Sequence, residues 1–267
     1  MKKFLLVFLI LMSVQIFACK CAGFGAIGMQ YQNADFVGEI EITKIYGNDK
    51  KSRTYKADIA VLKTYKGNPV KTLEISGLID DVQSAACEVE LNVGEKFLIY
   101  LSKNDFDNVI SMTTSTKNLG AEKFTVSSCT PRTFISGLVE EKIDTEREVI
   151  GFLSKNQVKL DQAFFLDKSV DENSEGVFKD YEITDAKNNF AVYKLKVNGK
   201  SEVDAIEALQ NFESSQDEEI MELIRKNAVV AKGFFTEVRN EEVLLTLFYL
   251  PKNKGLEFAY TLTTTLE

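Results

Sequence analysis

Apolar and polar residues alternate through much of the first half of the chain, and the alternation predicts strands. Residues 35–46 are β-branched with period two, a long strand. Gly47-Asn48-Asp49 predicts the turn that ends it. Residues 54–65, with Ala57, Ile59 and Val61 on one face, predict a second strand, and Lys66-Gly67-Asn68-Pro69 a turn. Residues 71–76 and the apolar run 96–101 predict two more strands. Residues 109–114 are expected to form a fifth, and 123–127 lead to Cys129. Residues 80–87 read as a loop and 92–95 as a turn, while a short helix is expected near 26–33. Five strands at this spacing predict a small closed β-barrel. Ile150, Phe152 and Leu153 place a helix over 144–155, closing a first domain over residues 19–155.

Residues 156–188 are acidic around Asp171-Glu172-Asn173-Ser174-Glu175-Gly176 and read as a linker. A second unit, 189–267, follows. Residues 189–197 alternate up to the hairpin dipeptide Asn198-Gly199, and 202–209 continue beyond it. Ser214 and Ser215, with Asp217 and Glu218 behind them, predict a helix start, and Ile220, Leu223 and Ile224 its buried face. Residues 229–238 and 242–250 predict strands about a turn at Arg239-Asn240, and 258–262 an edge strand. The expected fold class is therefore mainly β: a five-stranded barrel with a C-terminal helix, then a small α+β domain.

The first residues have a different pattern. Lys2 and Lys3 precede an apolar run from Phe4 to Met12, and Ile16-Phe17-Ala18 offers a small residue for cleavage. The run is short of the about 20 residues of a spanning helix. Residues 1–18 therefore read as a signal peptide, with no membrane span after its removal. The product would be secreted, periplasmic or extracellular and would begin at Cys19. A lipoprotein acylated at Cys19 is the alternative. The chain has only four cysteines, Cys19, Cys21, Cys87 and Cys129, and in an exported protein these predict two disulfides. One residue in an extended segment separates Cys19 from Cys21, which disfavours a bond between them. Each is then expected to reach one of Cys87 and Cys129.

Composition narrows the function classes. The net charge of −8 argues against nucleic acid or an anionic membrane as partner. The chain has no histidine, which removes Ser-His-Asp and Cys-His nucleophiles and histidine-ligated metals. No paired-carboxylate motif, nucleophile elbow, phosphate loop or cofactor fingerprint is visible, so neither an enzyme nor a resident cofactor is expected.

Several segments occur together: Cys19-Lys20-Cys21 at the new N-terminus, Asn33-Ala34-Asp35-Phe36-Val37, Lys63-Thr64-Tyr65-Lys66-Gly67, residues 84–99 from Ser84-Ala85-Ala86-Cys87 to Leu98-Ile99, and the late Cys129. In order and spacing, residues 19–155 resemble the netrin-like module of the tissue inhibitors of metalloproteinases. The resemblance implies an oligonucleotide/oligosaccharide-binding-type barrel and the pairings Cys19–Cys87 and Cys21–Cys129. Each bridge would close a long loop, worth about 4–5 kcal/mol in the chain-entropy model. It also implies a protein partner. In the family, the first residue chelates the zinc of a target metalloendopeptidase. Here the α-amine and carbonyl of Cys19 would do so, displacing the zinc-bound water, with Lys20 entering the substrate pocket and Ser84, Ala85 and Ala86 flanking the zinc. Lys20 replaces a residue that is usually small or apolar, so a target pocket would need a carboxylate to receive it. The expected function is an exported, disulfide-stabilised protein-interaction module; the alternative is inhibition of a metalloprotease through Cys19. Residues 189–250 weakly resemble the C-terminal domain of TonB energy-transducing proteins, through Ala191 to Lys200, the helix around 218–226 and the strand 244–250. That resemblance implies binding of an extended peptide by strand addition at a sheet edge; the expected reading of the unit is an accessory α+β domain.

Overall fold

The computed structural model describes residues 27–79, 88–103, 123–135, 140–158, 161–162, 164–167, 178, 181–231, 241–249 and 262–263. The expected signal peptide and the strand at 109–114 lie outside the described residues. Helix α1 (Ile27–Asn33) leads into β1 (Phe36–Asp49), which pairs antiparallel with β2 (Thr54–Lys66). The turn expected at Gly47–Asp49 falls later. Asp49 ends the strand by accepting the backbone N–H groups of Lys51 and Ser52, so the reversal occupies residues 50–53. β3 (Thr72–Ser76) continues the antiparallel meander, and β4 (Lys96–Leu101) pairs with the other side of β1.

Two short strands flank Cys129, and neither is marked by periodicity. β5 (Thr125–Val126) runs parallel to β3, and β6 (Arg132–Phe134) antiparallel to β4. The sheet order is β5-β3-β2-β1-β4-β6, so β5 and β6 are opposite edges. Residues 127–131 alone join them. Six Cα steps reach at most about 20 Å, whereas the edges of a flat six-stranded sheet lie about 24 Å apart. The linking residues are moreover folded into a turn, with Thr130 N–H donating to Ser127 O at 3.1 Å. The sheet must therefore curl, and it forms a half-barrel in a mainly β structure.

Helix α2 (Glu140–Lys155) starts four residues before the periodicity predicts. The segment expected as an acidic linker contributes strands. β7 (Asp161–Gln162) precedes β8 (Phe164–Asp167), whose apolar run Phe164-Phe165-Leu166 was obscured by the acidic composition of the segment. Phe178 and Ile183, from the same segment, are core residues. β9 (Phe190–Val197) lies between β10 (Val203–Gln210) and β12 (Glu241–Tyr249) in a second sheet. β13 (Leu262–Thr263) continues that sheet, and β7 joins β12 in parallel. β11 (Ala228–Ala231) pairs with β8 and follows helix α3 (Asp217–Asn227) directly. Ser214 and Ser215 do not cap α3. Gln216 holds the cap position without a side-chain bond, and the buried Asp217 instead accepts the N–H groups of Phe212 and Ser214. Among the described residues no helix is long and apolar enough to cross a membrane.

Period two divides the apolar residues among three cores. Phe36, Ile40, Phe97, Ile99 and Leu101 fill the concave face of the first sheet. Their neighbours Val37, Leu98 and Tyr100 point outward onto α1 and α2, where they meet Phe190, Val192, Leu244 and Phe248 of the second sheet. The opposite face of that sheet, with Tyr193, Leu195, Val243 and Leu245, packs on Ile220 and Ile224 of α3. The helices are thus a shared layer, and one hydrophobic core spans both halves of the chain.

Polar bonds orient this layer. Glu39, 8% exposed on β1, receives Arg147 of α2 through Nε at 3.0 Å and Nη2 at 2.8 Å, and Tyr65 OH at 2.8 Å. Tyr100 OH donates to Glu146 at 2.6 Å, and Thr133 to the other oxygen of the same carboxylate at 2.9 Å. Lys66 donates to the carbonyls of Tyr31 and Gln32, closing the C-terminal end of α1. Burial acts to raise the pKa of Glu39. The hydrogen bonds from Arg147 and Tyr65, with the charges of Arg147 and Lys63, outweigh it and hold the carboxyl below its ordinary value.

A depressed carboxyl stabilises the fold above its unfolded pKa, and that contribution is lost as pH falls through the folded one. Glu39→Gln is therefore expected to lose about 2 kcal/mol at neutral pH. In urea titrations across pH, its deficit against wild type should shrink below about pH 4, where an ordinary glutamate protonates. Gly67 tests a second constraint. Its φ is +77°, and a Cβ there would lie 2.0 Å from the Asp35 carbonyl oxygen. Gly47 has φ +76° with nothing within 4 Å. Gly47→Ala should cost about 1 kcal/mol, and Gly67→Ala about 3 kcal/mol or more, in the same unfolding assay.

Candidate functional site

Of the residues that the sequence singles out, Cys19, Lys20, Cys21, Ser84, Ala85, Ala86 and Cys87 lie outside the described residues. Cys129 lies within them and is disulfide-bonded. Its cross-linked partner is outside them.

The turn holding Cys129 is tied down from several directions. Ser127 N–H donates to Thr130 Oγ1 at 2.9 Å, and Cys129 N–H to Ser127 Oγ at 3.2 Å. Arg132 Nη1 reaches back to the carbonyls of Ser127 at 2.9 Å and Thr130 at 3.1 Å. Burial lowers the Arg132 pKa, the field of Tyr55 and Glu95 opposes that, and the guanidinium remains a cation at neutral pH. A half-buried cation spanning two carbonyls fixes the turn more firmly than a neutral donor would.

The chain just beyond Cys87 is held as firmly. Glu88 forms a bidentate ion pair with Arg53, with Nε to Oε1 at 2.5 Å and Nη2 to Oε2 at 3.1 Å. Val89 N–H donates to Ser76 O at 2.8 Å. The buried Tyr55 hydroxyl donates to Val89 O at 3.1 Å and accepts from Leu91 N–H at 3.0 Å. Burial pushes this phenol upward in pKa, so it stays a neutral donor. Two positions expected to carry cross-links thus sit on, or one residue from, rigid backbone. α1 begins at Ile27, six residues after Cys21 in sequence.

A groove of 500 Å³ borders the Cys129 turn, with Ser128, Thr130 and Arg132 on one side and Glu90 and Glu95 among its other walls. Phe97 and Phe134 line it as well, their rings 5.4 Å apart. Phe134 is 47% exposed, and Val93, in the turn before β4, is 62% exposed. This end of the sheet therefore presents apolar side chains beside carboxylates, which suits contact with another protein chain. Among the described residues no group of three histidine, cysteine, aspartate or glutamate side chains could hold a metal ion. Sequence reasoning reaches Cys129 but not Arg53, Tyr55, Glu88, Thr130 or Arg132. The Arg53–Glu88 pair is 35 residues apart in sequence and leaves no periodic signal. The spacing of Ser127 and Thr130 about Cys129 is the one local hint.

No family model matches the chain, and no curated protein matches it.

Removing Arg132 strips the turn of two bonds. Arg132→Ala is expected to lower stability by about 1–3 kcal/mol. Thiol trapping under graded dithiothreitol should also show Cys129 released at lower reductant than in wild type, with Glu90→Ala as a control that leaves the turn intact.

Proposed function

We propose that the chain is an exported, disulfide-stapled interaction module of the netrin-like type, which binds another protein outside the cytoplasm. The observation that carries this reading is the disulfide-bonded Cys129 in a five-residue turn between opposite edges of a curled sheet. Taken as two halves of one strand interrupted by that turn, β5 and β6 pair with β3 on one side and β4 on the other. The order β3-β2-β1-β4 then closes on itself through that interrupted strand, which supports a five-stranded barrel of the oligonucleotide/oligosaccharide-binding type. A disulfide in this turn ties a further segment to the seam. Under the pairing Cys21–Cys129 with Cys19–Cys87, that segment is the new N-terminus, and two bridges hold it still. A tip ordered before binding lowers the entropic cost of engaging a partner. The Phe97–Phe134 groove beside the turn would extend the contact surface.

The exported protein tests this. Intact mass, N-terminal sequencing and non-reducing peptide mapping are expected to show a free amine on Cys19 and cross-linked peptides joining 19 to 87 and 21 to 129. A lipid on Cys19, or unoxidised thiols in the native product, would refute the stapled tip. A version with one extra N-terminal alanine separates the modes of use. Partner binding that survives the extension fits a general interaction module. Inhibition of a zinc endopeptidase that the extension abolishes assigns the Cys19 chelate, whose amine, with an ordinary pKa of about 7.7–8.0, must be neutral to bind.

A further inference from the structure

A second groove, of 540 Å³, opens beside the turn that follows β2 and shares no lining residue with the groove at Cys129. Lys56, Lys71, Lys103 and Lys123 line it, against the carboxylates of Asp35 and Glu74. The chain as a whole carries a net charge of −8. A concave surface with an excess of lysines is thus a local inversion of the molecule's charge, and a concavity concentrates the field of the charges that line it.

The groove is built on fixed backbone. The Lys71 carbonyl accepts Ile59 N–H at 3.0 Å, and the Phe124 carbonyl, one residue from Lys123, accepts Glu74 N–H at 3.0 Å. The close approach of Gly67 to the Asp35 carbonyl presses the turn onto the start of β1. Lys56 stands opposite Glu74 in the β2–β3 register. Each carboxylate already has a donor. Glu74 takes Lys123 Nζ at 3.1 Å, and Asp35 takes the Lys103 backbone N–H at 2.8 Å. Phe124, half-buried against the concave core, adds an apolar wall to the same groove. Lysine side chains lining a groove of this size, with an aromatic side chain among its walls, offer a donor set for an oxyanion carried on a small cyclic molecule. The volume lies within the roughly 300–1,000 Å³ of small-molecule sites.

We infer that this groove binds a sugar bearing sulfate or phosphate ester groups. The ester oxygens lie among Lys56, Lys71 and Lys123, and the ring lies against Phe124. Ammonium ions act as point charges toward such oxyanions, so the site discriminates by charge more than by the atom bearing the oxygens. Binding therefore weakens as salt rises.

Calorimetric titration of the full-length chain tests this with sucrose octasulfate, a monophosphorylated hexose, inorganic sulfate and uncharged sucrose. The titrations run at about 10 mM salt, where the Debye length is about 30 Å. The octasulfate or the sugar phosphate is expected to bind, and the double variant Lys56→Ala/Lys71→Ala to weaken binding at least about tenfold. Both lysines are exposed, so the variant should keep the wild-type melting curve. Lys196→Ala/Lys226→Ala removes two exposed lysines of the second half and should leave affinity unchanged. Whichever of the two charged sugars binds more tightly identifies the ester. Phe124→Leu separates ring contact from charge alone, lowering affinity for the sugar esters while leaving inorganic sulfate unaffected. The inference is overturned if no charged sugar binds, if uncharged sucrose binds as well as its sulfate, or if both lysine pairs weaken binding equally.

Discussion

The short link between β5 and β6 is the constraint on which the first half of the molecule rests. Two strands at opposite edges of one sheet are tied by residues 127–131, so the sheet has no flat solution. Curling gives a concave interior that Phe36, Ile40, Ile42, Leu73 and Ile99 fill. Neither β5 nor β6 is long enough to be stable on its own; each exists because a longer strand offers it a partner edge. The hydrogen bonds of Ser127, Thr130 and Arg132 hold the link in its folded form, and Cys129 adds a covalent tie to the same place.

The outside of the same sheet does a second job. β4 and the first half of β1 are buried on both faces, so the residues that miss the concave core build another with α1, α2 and the second sheet. Apolar packing alone would leave the helices free to slide. The bidentate Glu39–Arg147 pair and the Tyr100–Glu146–Thr133 set specify one register for α2 on the sheet. Lys66 does the same for α1 by capping its last carbonyls. One strand thus carries information for two cores, which couples the stability of the two halves of the chain.

The two grooves differ in chemistry. Beside Cys129 the surface is aromatic with carboxylates at its edge, suited to a polypeptide. Beside the turn after β2 it is lined by lysines, suited to a multivalent oxyanion. Both lie against the same curled sheet, whose backbone hydrogen bonds keep their walls in place. A scaffold with separate faces leaves the two proposed contacts independent of each other.

Period-two alternation locates β1, β2 and β9, because a half-buried strand writes its two faces directly into the sequence, whereas β4 is marked by the continuous apolar run of a strand buried on both faces. The absence of histidine likewise restricts the chemistry, and the cysteines mark where covalent ties can form. Other features were decided only in three dimensions. β5 and β6 are too short to show a period, and β7 and β8 were hidden by the acidic residues around them. Arg53 meets Glu88, Glu39 meets Arg147, and lysines at 56, 71, 103 and 123 share a groove because sheet pairing brings distant segments side by side. Local sequence encodes which way each side chain points along its own strand. Which strand becomes its neighbour depends on closing loops and curling the sheet, and that is a property of the whole chain.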